Sequence, residues 1–232
     1  AGRTDAATAT IVKPGTFGDN CSADRRRTFF DFWNEQVIRE DVKVGTVFMG
    51  DSITELWNLD SYFVATDGTI QNRGISGDIT THMARRYEAD VLQLHPRNLV
   101  ILGGTNDVAR MLDAKKSEEE IIKTVLDSFE KMMDGARAAK INVLVCSILA
   151  TNDQHAKSHE GKKVIVPKIN AKLKEMCVAR GCIYVDYNAQ MTDDKGDLKK
   201  TLANDGLHPH YAGYEIMARV LQTTAKEKGL KL

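Results

Sequence analysis

Short apolar runs alternate with longer segments of helical periodicity along most of the chain. The run from Asn98 to Leu102 is almost continuously apolar, which is typical of a parallel strand covered on both faces. Strands that alternate with helices form βαβ units with right-handed crossovers, and therefore a parallel sheet. The sequence thus predicts an α/β fold, a three-layer α/β/α sandwich that is flavodoxin-like in style. Its sheet has about five strands, near residues 44–49, 70–72, 98–102, 143–149 and 182–185.

The helices are recognised from their caps and from apolar residues spaced three or four positions apart. Ser117 and Glu120 form a capping box that opens a long helix. Pro209 suits the first position of the last helix, where its missing N–H has no consequence. The predicted helices span residues 22–40 (capped by Ser22 or Asp24), 53–57, 80–94, 117–139, 164–180 and 209–228. An apolar stripe along the first of them comprises Phe29, Phe32, Trp33, Val37 and Ile38.

The first part of the chain differs from the rest in composition. Residues 1–22 are rich in Ala, Thr and Gly without periodicity, and we expect an extended or poorly ordered arm there. The following sequence has no internal repeat, low-complexity linker or change of composition. Residues 23–232 are therefore predicted to form a single domain.

Charge and composition exclude several classes of partner. Lys and Arg number 32 against 32 Asp and Glu, and zero net charge argues against nucleic acid as a partner. No apolar run approaches the ~18 residues of a membrane span. The four cysteines lack Cys-x-x-Cys spacing, which favours a reduced, cytoplasmic protein; a removed signal peptide would make it a secreted one. Pairing of Cys177 with Cys182 and assembly into a homo-oligomer are left open.

Two polar segments about 150 residues apart carry the parts of a nucleophilic site. Ser52 comes directly after the first predicted strand, in Met-Gly-Asp-Ser, and Asp205 precedes His208 by three residues. A serine hydroxyl needs a base to take its proton, and an imidazole is a better base when a carboxylate holds its other nitrogen. Two further glycine-containing segments, residues 72–78 and 103–107, also follow apolar stretches. All four segments are expected at the carboxyl edge of the sheet, where such folds place their active sites.

These four segments, in this order, resemble the blocks of the SGNH (GDSL) hydrolase family. The branch that the chain resembles most contains the catalytic subunits of platelet-activating-factor acetylhydrolase and related bacterial acyl esterases. The segments that carry this likeness are Gly-Asp-Ser-Ile-Thr, Ile-Ser-Gly-Asp-Ile-Thr and Gly-Gly-Thr-Asn-Asp. The resemblance spans residues 44 to about 220. It implies an SGNH hydrolase fold with Ser52 as nucleophile, His208 as base and Asp205 as its partner.

Acyl transfer builds negative charge on the carbonyl oxygen, so fixed hydrogen-bond donors must converge on it. The candidates for this oxyanion hole are the side-chain amide of Asn106 and the backbone N–H groups of Ser52 and Gly77. Gly74 competes with Gly77 for this role. The resemblance favours Gly77, which immediately precedes Asp78 in the family block, and leaves Gly74 to the turn.

No metal ion or cofactor is expected, because neither His155 with His159 nor His208 with His210 has a complete ligand set. Nucleotide-binding glycine motifs are also missing from the sequence. Substrate contacts are expected near the blocks, from Ile53, Trp57, Arg110, Met111 and the loop at residues 151–160.

The sequence thus predicts a metal-independent serine esterase for short acyl esters, in which the preference for acetyl follows from the resemblance. Its substrate is a small acyl ester, for which an acetylated carbohydrate is one candidate, and its acyl length and alcohol stay open. One alternative is a lysophospholipase or thioesterase with the same catalytic parts. Another is a catalytically silent carbohydrate-binding module, which the retention of Ser52, Asn106, Asp205 and His208 argues against.

Overall fold

A computed structural model describes residue 6, residues 8–18 and residues 20–232 of the chain. Its sheet has five parallel strands in the order β2-β1-β3-β4-β5, which confirms the α/β fold class and the flavodoxin-like topology. The strands are β1 (Val44–Gly50), β2 (Thr69–Gly74), β3 (Asn98–Leu102), β4 (Asn142–Cys146) and β5 (Ile183–Val185).

The register of the sheet brings three strand ends level with one another. Gly50, the last residue of β1, pairs with Gly74 of β2 on one side and with Leu102 of β3 on the other. Each of these strands is followed by one of the polar segments described above. The segments after β1, β2 and β3 therefore begin at the same edge of the sheet, as the sequence predicts.

Helices cover both faces of the sheet. The helices are α1 (Arg27–Arg39), α2 (Ser52–Glu55), α3 (Thr80–Asp90), α4 (Thr105–Asp113), α5 (Glu118–Ala138), α6 (His159–Arg180), α7 (Asn188–Met191) and α8 (Tyr211–Glu227). Val47 and Met49 of β1 belong to a core shared with α3, α5 and α6, whereas Phe48 between them packs into a second core with α8. This alternation along one strand produces the three layers.

Several local predictions differ from the structure. The segment after Gly104 forms α4, which is not among the predicted helices, and α6 begins at His159, five residues before its predicted start. Pro209 does not open the last helix: His210 is the N-cap of α8, and its Nδ1 accepts a hydrogen bond from Ala212 N–H at 3.3 Å. The Ser117 cap is confirmed, because its side chain accepts a hydrogen bond from Glu120 N–H.

The apolar stripe of α1 lies mostly on the outside of the protein. The side chains of Phe29 and Phe32 are 57% and 59% exposed, and Trp33 is also exposed. The buried face carries Arg27 and Asn34 instead, beside Phe30 and Val37. These polar groups can be buried because they hydrogen-bond to Asp90 of α3, which is distant in sequence.

The described part of the N-terminal arm runs along α3 and the turn after it. Val12 exchanges two hydrogen bonds with the side chain of Gln93, both at 2.9 Å, and Arg85 donates to the carbonyl oxygen of Thr16 at 2.8 Å. Residues 1–5, 7 and 19 of the predicted arm lie outside the described residues. Among the helices of the described ranges, none is long and apolar enough to cross a membrane.

Candidate active site

Ser52 lies at the junction of β1 and α2. Asp51 caps α2 by accepting a hydrogen bond from Ile53 N–H at 2.9 Å, and Ser52 is the first residue of the helix. The N–H groups of a first helical turn have no partner within the helix, so Ser52 N–H is available to a ligand. The hydroxyl oxygen of Ser52 lies 2.9 Å from Nε2 of His208.

His208 and Asp205 form a compact turn before α8. Nδ1 of His208 lies 2.5 Å from Oδ2 of Asp205. The other carboxylate oxygen accepts hydrogen bonds from Leu207 N–H at 2.9 Å and His208 N–H at 2.7 Å. Gly206 adopts a positive φ of 76°, and its carbonyl oxygen accepts a hydrogen bond from Asn152 N–H at 2.7 Å. The predicted Ser52, His208 and Asp205 are thus joined by an unbroken series of contacts.

The charge state of Asp205 suits this arrangement. Partial burial disfavours its ionised form, but the hydrogen bonds from the His208 ring and from the His208 and Leu207 amides outweigh that effect. They lower the pKa of Asp205 to about 2. The carboxylate is therefore ionised at neutral pH, and it can hold the imidazole with a proton on Nδ1, which leaves Nε2 free to accept the Ser52 proton.

The loop of residues 74–78, called the oxyanion loop below, has one backbone N–H left over. Ile75 N–H donates to the carbonyl oxygen of Gly50, Ser76 N–H to the carboxylate of Glu55, and Asp78 N–H to the carbonyl oxygen of Ile75. Gly74 N–H donates to the side chain of Asn72. Within the part of the chain that the structure describes, Gly77 N–H is the only backbone donor of this loop without an acceptor. Of the two competing glycines, Gly77 is therefore the one with a free donor.

Gly74 has a different local reason to be glycine. A Cβ atom at this position would lie 2.2 Å from the backbone nitrogen of Glu55, so α2 could not pack this closely against the end of β2. The sequence assigns Gly74 to the turn, whereas the structure places it as the last residue of β2, where the close approach of α2 requires a glycine.

Asn106 lies in the first turn of α4, on the other side of the oxyanion loop. Its Nδ2 donates one hydrogen bond to the carbonyl oxygen of Asp78 at 2.9 Å. A side-chain amide has two N–H donors, so the second remains for a ligand. Asp107, the next residue, accepts hydrogen bonds from the backbone N–H and the hydroxyl of Thr80, which tie α4 to the start of α3.

Two charged side chains hold the oxyanion loop from outside. Glu55 accepts the Ser76 N–H at 2.5 Å and pairs with Arg26 at 2.9 Å. Burial disfavours the ionised Glu55, but these hydrogen bonds outweigh it and lower its pKa. Nη2 of Arg110 donates to the carbonyl oxygen of Gly77 at 2.5 Å. The loop conformation is thus fixed by contacts on both sides of Gly77.

Asp51 is the most perturbed acid beside the nucleophile. Burial raises its pKa to about 7, the hydrogen bond from Ile53 N–H opposes this, and the nearby carboxyls of Asp107 and Asp78 add to it. Its Oδ2 is buried and has no hydrogen-bond partner among the described residues. The carboxyl of Asp51 therefore acts as a helix cap held in an environment that disfavours its charge.

The predicted substrate contacts are divided by the structure. Ile53 and Trp57 are buried core residues, where Trp57 stacks on Tyr214 with ring centroids 5.2 Å apart, so they are not walls of a substrate pocket. The apolar side chains of α2 face α8 because the helix turns inward directly after Ser52. Arg110 is exposed and touches the oxyanion loop, and Met111 is half-buried against the core beneath α4.

The candidate histidine ligands do not converge. His210 caps α8, and His159 is buried with its Nε2 3.4 Å from a carboxylate oxygen of Asp197. Within the ranges that the structure describes, no cluster of three or more His, Cys, Asp or Glu side chains could hold a metal ion. Cys177 and Cys182 are both free thiols in the structure.

Sequence reasoning missed several residues that shape the site. Ser22 lies against Gly77: its hydroxyl oxygen is 2.7 Å from where a Cβ of that glycine would be. Glu55 holds the oxyanion loop through Ser76 N–H, and Asn152, within the predicted loop at residues 151–160, holds the turn of Asp205 and His208 through the carbonyl oxygen of Gly206. Glu55, three residues after Ser52, could have been noticed from its place in the first turn of α2. The others depend on contacts between distant segments, for which the sequence carries no local signal.

The chain matches a family of known proteins over most of its length. Residues 48–216 match the family model of the GDSL-like lipases and acylhydrolases, which covers the four polar segments. The chain is 26% identical over 153 residues to an acetylxylan esterase of Geobacillus stearothermophilus, covering 65% of this chain and 68% of that protein.

Solved structures share the fold. A protein of Bacteroides fragilis described as an acylhydrolase has a TM-score of 0.74 at 24% identity, covering 90% of this chain and 99% of the other. A GDSL-like lipase of Bacteroides thetaiotaomicron has a TM-score of 0.70 at 26% identity, covering 90% and 100% of the two chains.

Proposed function

Because the chain belongs to the GDSL-like lipase/acylhydrolase family and is a carboxylic ester hydrolase, we propose that it is a serine esterase that removes short acyl groups, chiefly acetyl. The observation that carries the proposal is the series of contacts from Asp205 through His208 to the hydroxyl of Ser52, at 2.5 and 2.9 Å. It has the geometry that proton transfer from a serine nucleophile requires.

In the first half-reaction, Nε2 of His208 takes the proton of Ser52 as its oxygen attacks the ester carbonyl carbon. The resulting imidazolium is stabilised by the ionised Asp205. His208 then gives the proton to the leaving alcohol, and the acyl group stays on Ser52. In the second half-reaction, a water molecule that His208 deprotonates attacks this acyl-serine, and His208 returns the proton to the Ser52 oxygen as the acid product leaves.

The negative charge that develops on the carbonyl oxygen in both half-reactions is stabilised by three donors. These are Ser52 N–H, Gly77 N–H and the second N–H of the Asn106 side chain. Their loops are fixed before the substrate binds, so little reorganisation is needed when the charge forms. No step requires a metal ion.

We propose an acetylated carbohydrate as the substrate class. The support is the 26% identity of this chain to the acetylxylan esterase of Geobacillus stearothermophilus. The alternative substrates, a lysophospholipid or an acyl thioester, require the same catalytic groups and are separated by experiment.

The deciding measurement compares p-nitrophenyl esters of increasing acyl length with acetylated xylo-oligosaccharides, a lysophospholipid and an acyl thioester. We expect the highest kcat/KM among the p-nitrophenyl esters for acetate, release of acetate from the oligosaccharide, and inactivation by a serine-directed organophosphonate. The variant Ser52→Ala is the control for non-enzymatic hydrolysis. Preference for long acyl chains or for the lysophospholipid would replace the proposed substrate. No turnover and no phosphonylation of Ser52 would support a silent binding module.

A further inference from the structure

A buried arginine of α3 contacts both strand ends that lead into the candidate active site. The side chain of Arg86 is fully buried. Its Nη2 donates to the carbonyl oxygen of Gly50 at 3.1 Å, and its Nη1 donates to that of Arg73 at 2.9 Å. Gly50 ends β1, two residues before Ser52, and Arg73 is the penultimate residue of β2. One guanidinium group thus joins the strand before the nucleophile to the strand before the oxyanion loop.

The same group reaches the oxyanion loop through Asp78. Nε of Arg86 donates to Oδ2 of Asp78 at 2.8 Å, and both side chains are fully buried. Asp78 directly follows Gly77, and its carbonyl oxygen accepts the hydrogen bond from Asn106. The position of Asp78 therefore determines where the Gly77 N–H and the Asn106 amide lie, and Arg86 holds Asp78.

Stability alone does not account for this network. Arg86 also donates to Asp90 at 3.0 Å, and Asp90 accepts two hydrogen bonds from Arg27 of α1, at 2.9 and 2.6 Å. Burying ion pairs costs desolvation, so an apolar cluster of similar volume is often as stabilising or more so. A planar guanidinium, in contrast, holds several oxygen atoms in fixed directions, which an apolar side chain cannot do.

We propose that Arg86 is a positioning residue of the active site, an inference that rests on the esterase function proposed above. It sets the separation between Ser52 N–H and Gly77 N–H, the two backbone donors of the oxyanion hole. A misplacement of ~1 Å at a reacting site can cost about 10²-fold in rate. Because these donors act on the charged transition state, their displacement lowers kcat more than it raises KM.

The test compares Arg86→Lys with Arg27→Lys. Both changes keep the positive charge and replace the planar fork by a single ammonium group within the same network. Arg27 is the matched control, because its side-chain hydrogen bonds go to Asp31 and Asp90 and not to the catalytic loops. For each variant, kcat and KM for p-nitrophenyl acetate, the rate of Ser52 phosphonylation by an organophosphonate, and the melting temperature are measured.

We expect Arg86→Lys to lower kcat and the phosphonylation rate about 10- to 100-fold, with KM within about threefold of wild type. Arg27→Lys should change kcat by less than about threefold, even if its melting temperature falls as much as that of Arg86→Lys. Equal losses of kcat in the two variants, or an unaffected Arg86→Lys, would overturn the proposal.

If Arg86→Lys does not fold, Asp78→Asn is measured in its place, because it keeps the side-chain volume and removes the ion pair with Arg86. The same loss of kcat is expected. Failure of both variants to fold would make the contact purely structural and overturn the proposal. A wild-type protein without esterase activity or Ser52 phosphonylation would instead contradict the proposed function itself, so the two failures are distinguishable.

Discussion

The oxyanion loop and the turn that carries Asp205 and His208 meet at Ser52, but different contacts hold them. The loop is tied to β1, α2, α3 and α4 by hydrogen bonds to residues outside it. The side chains of Asp78, within the loop, and of its partner Arg86 in α3 are fully buried. The turn is closer to solvent, with side-chain exposures of 53% for Asp205 and 33% for His208. Its internal hydrogen bonds span at most three residues, and one hydrogen bond, from Asn152 N–H to the carbonyl oxygen of Gly206, ties it to a distant segment.

This difference matches the proposed roles of the loop and the turn, which are called the two halves of the site below. Stabilising the oxyanion requires donors at fixed points in space, and only contacts with several other elements can fix them. Moving a proton requires one correct contact between neighbours and access to water, which a short exposed turn provides. The loop should therefore be sensitive to distant substitutions, whereas the turn should be sensitive mainly to changes within itself.

Substitution of Ser52 or His208, whose contact joins the oxyanion loop side of the site to the turn, should have the largest effect on activity. Ser52→Ala and His208→Ala should each lower kcat for p-nitrophenyl acetate by about 10⁴-fold or more, because each removes a group without which the others cannot act. Circular dichroism and the melting temperature should stay near wild type, since only one partly exposed contact is lost. Near-normal turnover by folded Ser52→Ala would show that another residue is the nucleophile.

A smaller loss is expected when only the turn is disturbed. Asp205→Asn keeps an oxygen that can accept the Leu207 and His208 N–H groups, but its amide can no longer favour a proton on Nδ1 of His208. We expect a fall in kcat of up to ~10⁴-fold, less than for His208→Ala. Asp193→Asn is the matched control and should stay active, because Asp193 also accepts two backbone N–H groups, from Lys195 and Asp197, but lies outside the proposed site. A fully active Asp205→Asn would transfer the role to another carboxylate.

On the side of the oxyanion loop, Asn106→Ala removes one donor while leaving Gly77 and Ser52 in place. Loss of a single such donor costs about 10²- to 10³-fold in kcat, with KM little changed. Steady-state kinetics on p-nitrophenyl acetate measure both constants. A rise in KM with an unchanged kcat would instead assign Asn106 to ground-state binding and weaken the contrast between the halves.

The smallest expected effect concerns the free energy of unfolding and Asp51, which is buried next to Ser52. The pKa of Asp51 is raised to about 7 in the folded protein, whereas an unfolded Asp titrates near ~3.9. The folded state therefore binds more protons between these values, and Asp51 lowers stability as pH rises from about 4 to about 7. The difference in the free energy of unfolding between wild type and Asp51→Asn should therefore change steadily with pH over that window.

Urea unfolding of both proteins across this pH range measures the effect. The comparison uses the slope with pH, because any constant cost of placing an amide at residue 51 cancels. Parallel pH profiles for the two proteins would mean that Asp51 ionises normally in the folded state.

The halves also differ in how far the sequence predicts them. The spacing of Asp205 and His208, like the Ser117 cap, is a local signal, and the structure has both contacts. The strand ends are predicted to within a few residues because apolar runs mark them. From the sequence, Gly77 is chosen over Gly74 only through the family resemblance, whereas the structure distinguishes them by one unpaired N–H.

Long-range pairing explains the predictions that are wrong. The aromatic residues of α1 are apolar enough to suggest a buried stripe, yet Arg27 and Asn34 occupy the inner face because Asp90 and Arg73 lie opposite them. Likewise, Ile53 and Trp57 are close to Ser52 in sequence but turn away from it into the core with α8. Neither outcome can be read from one segment by itself.

The docking of α8 has a consequence for the order in which the protein becomes active during its synthesis. Ser52 and the oxyanion loop emerge from the ribosome long before His208, and domains begin to fold from the N-terminal side. The base is placed only when α8 packs, with the Tyr214 hydroxyl donating to the carbonyl oxygen of Ile53 at 2.7 Å. In the proposed mechanism, a nascent chain therefore carries an inert serine until the same helix that completes the second core brings its base.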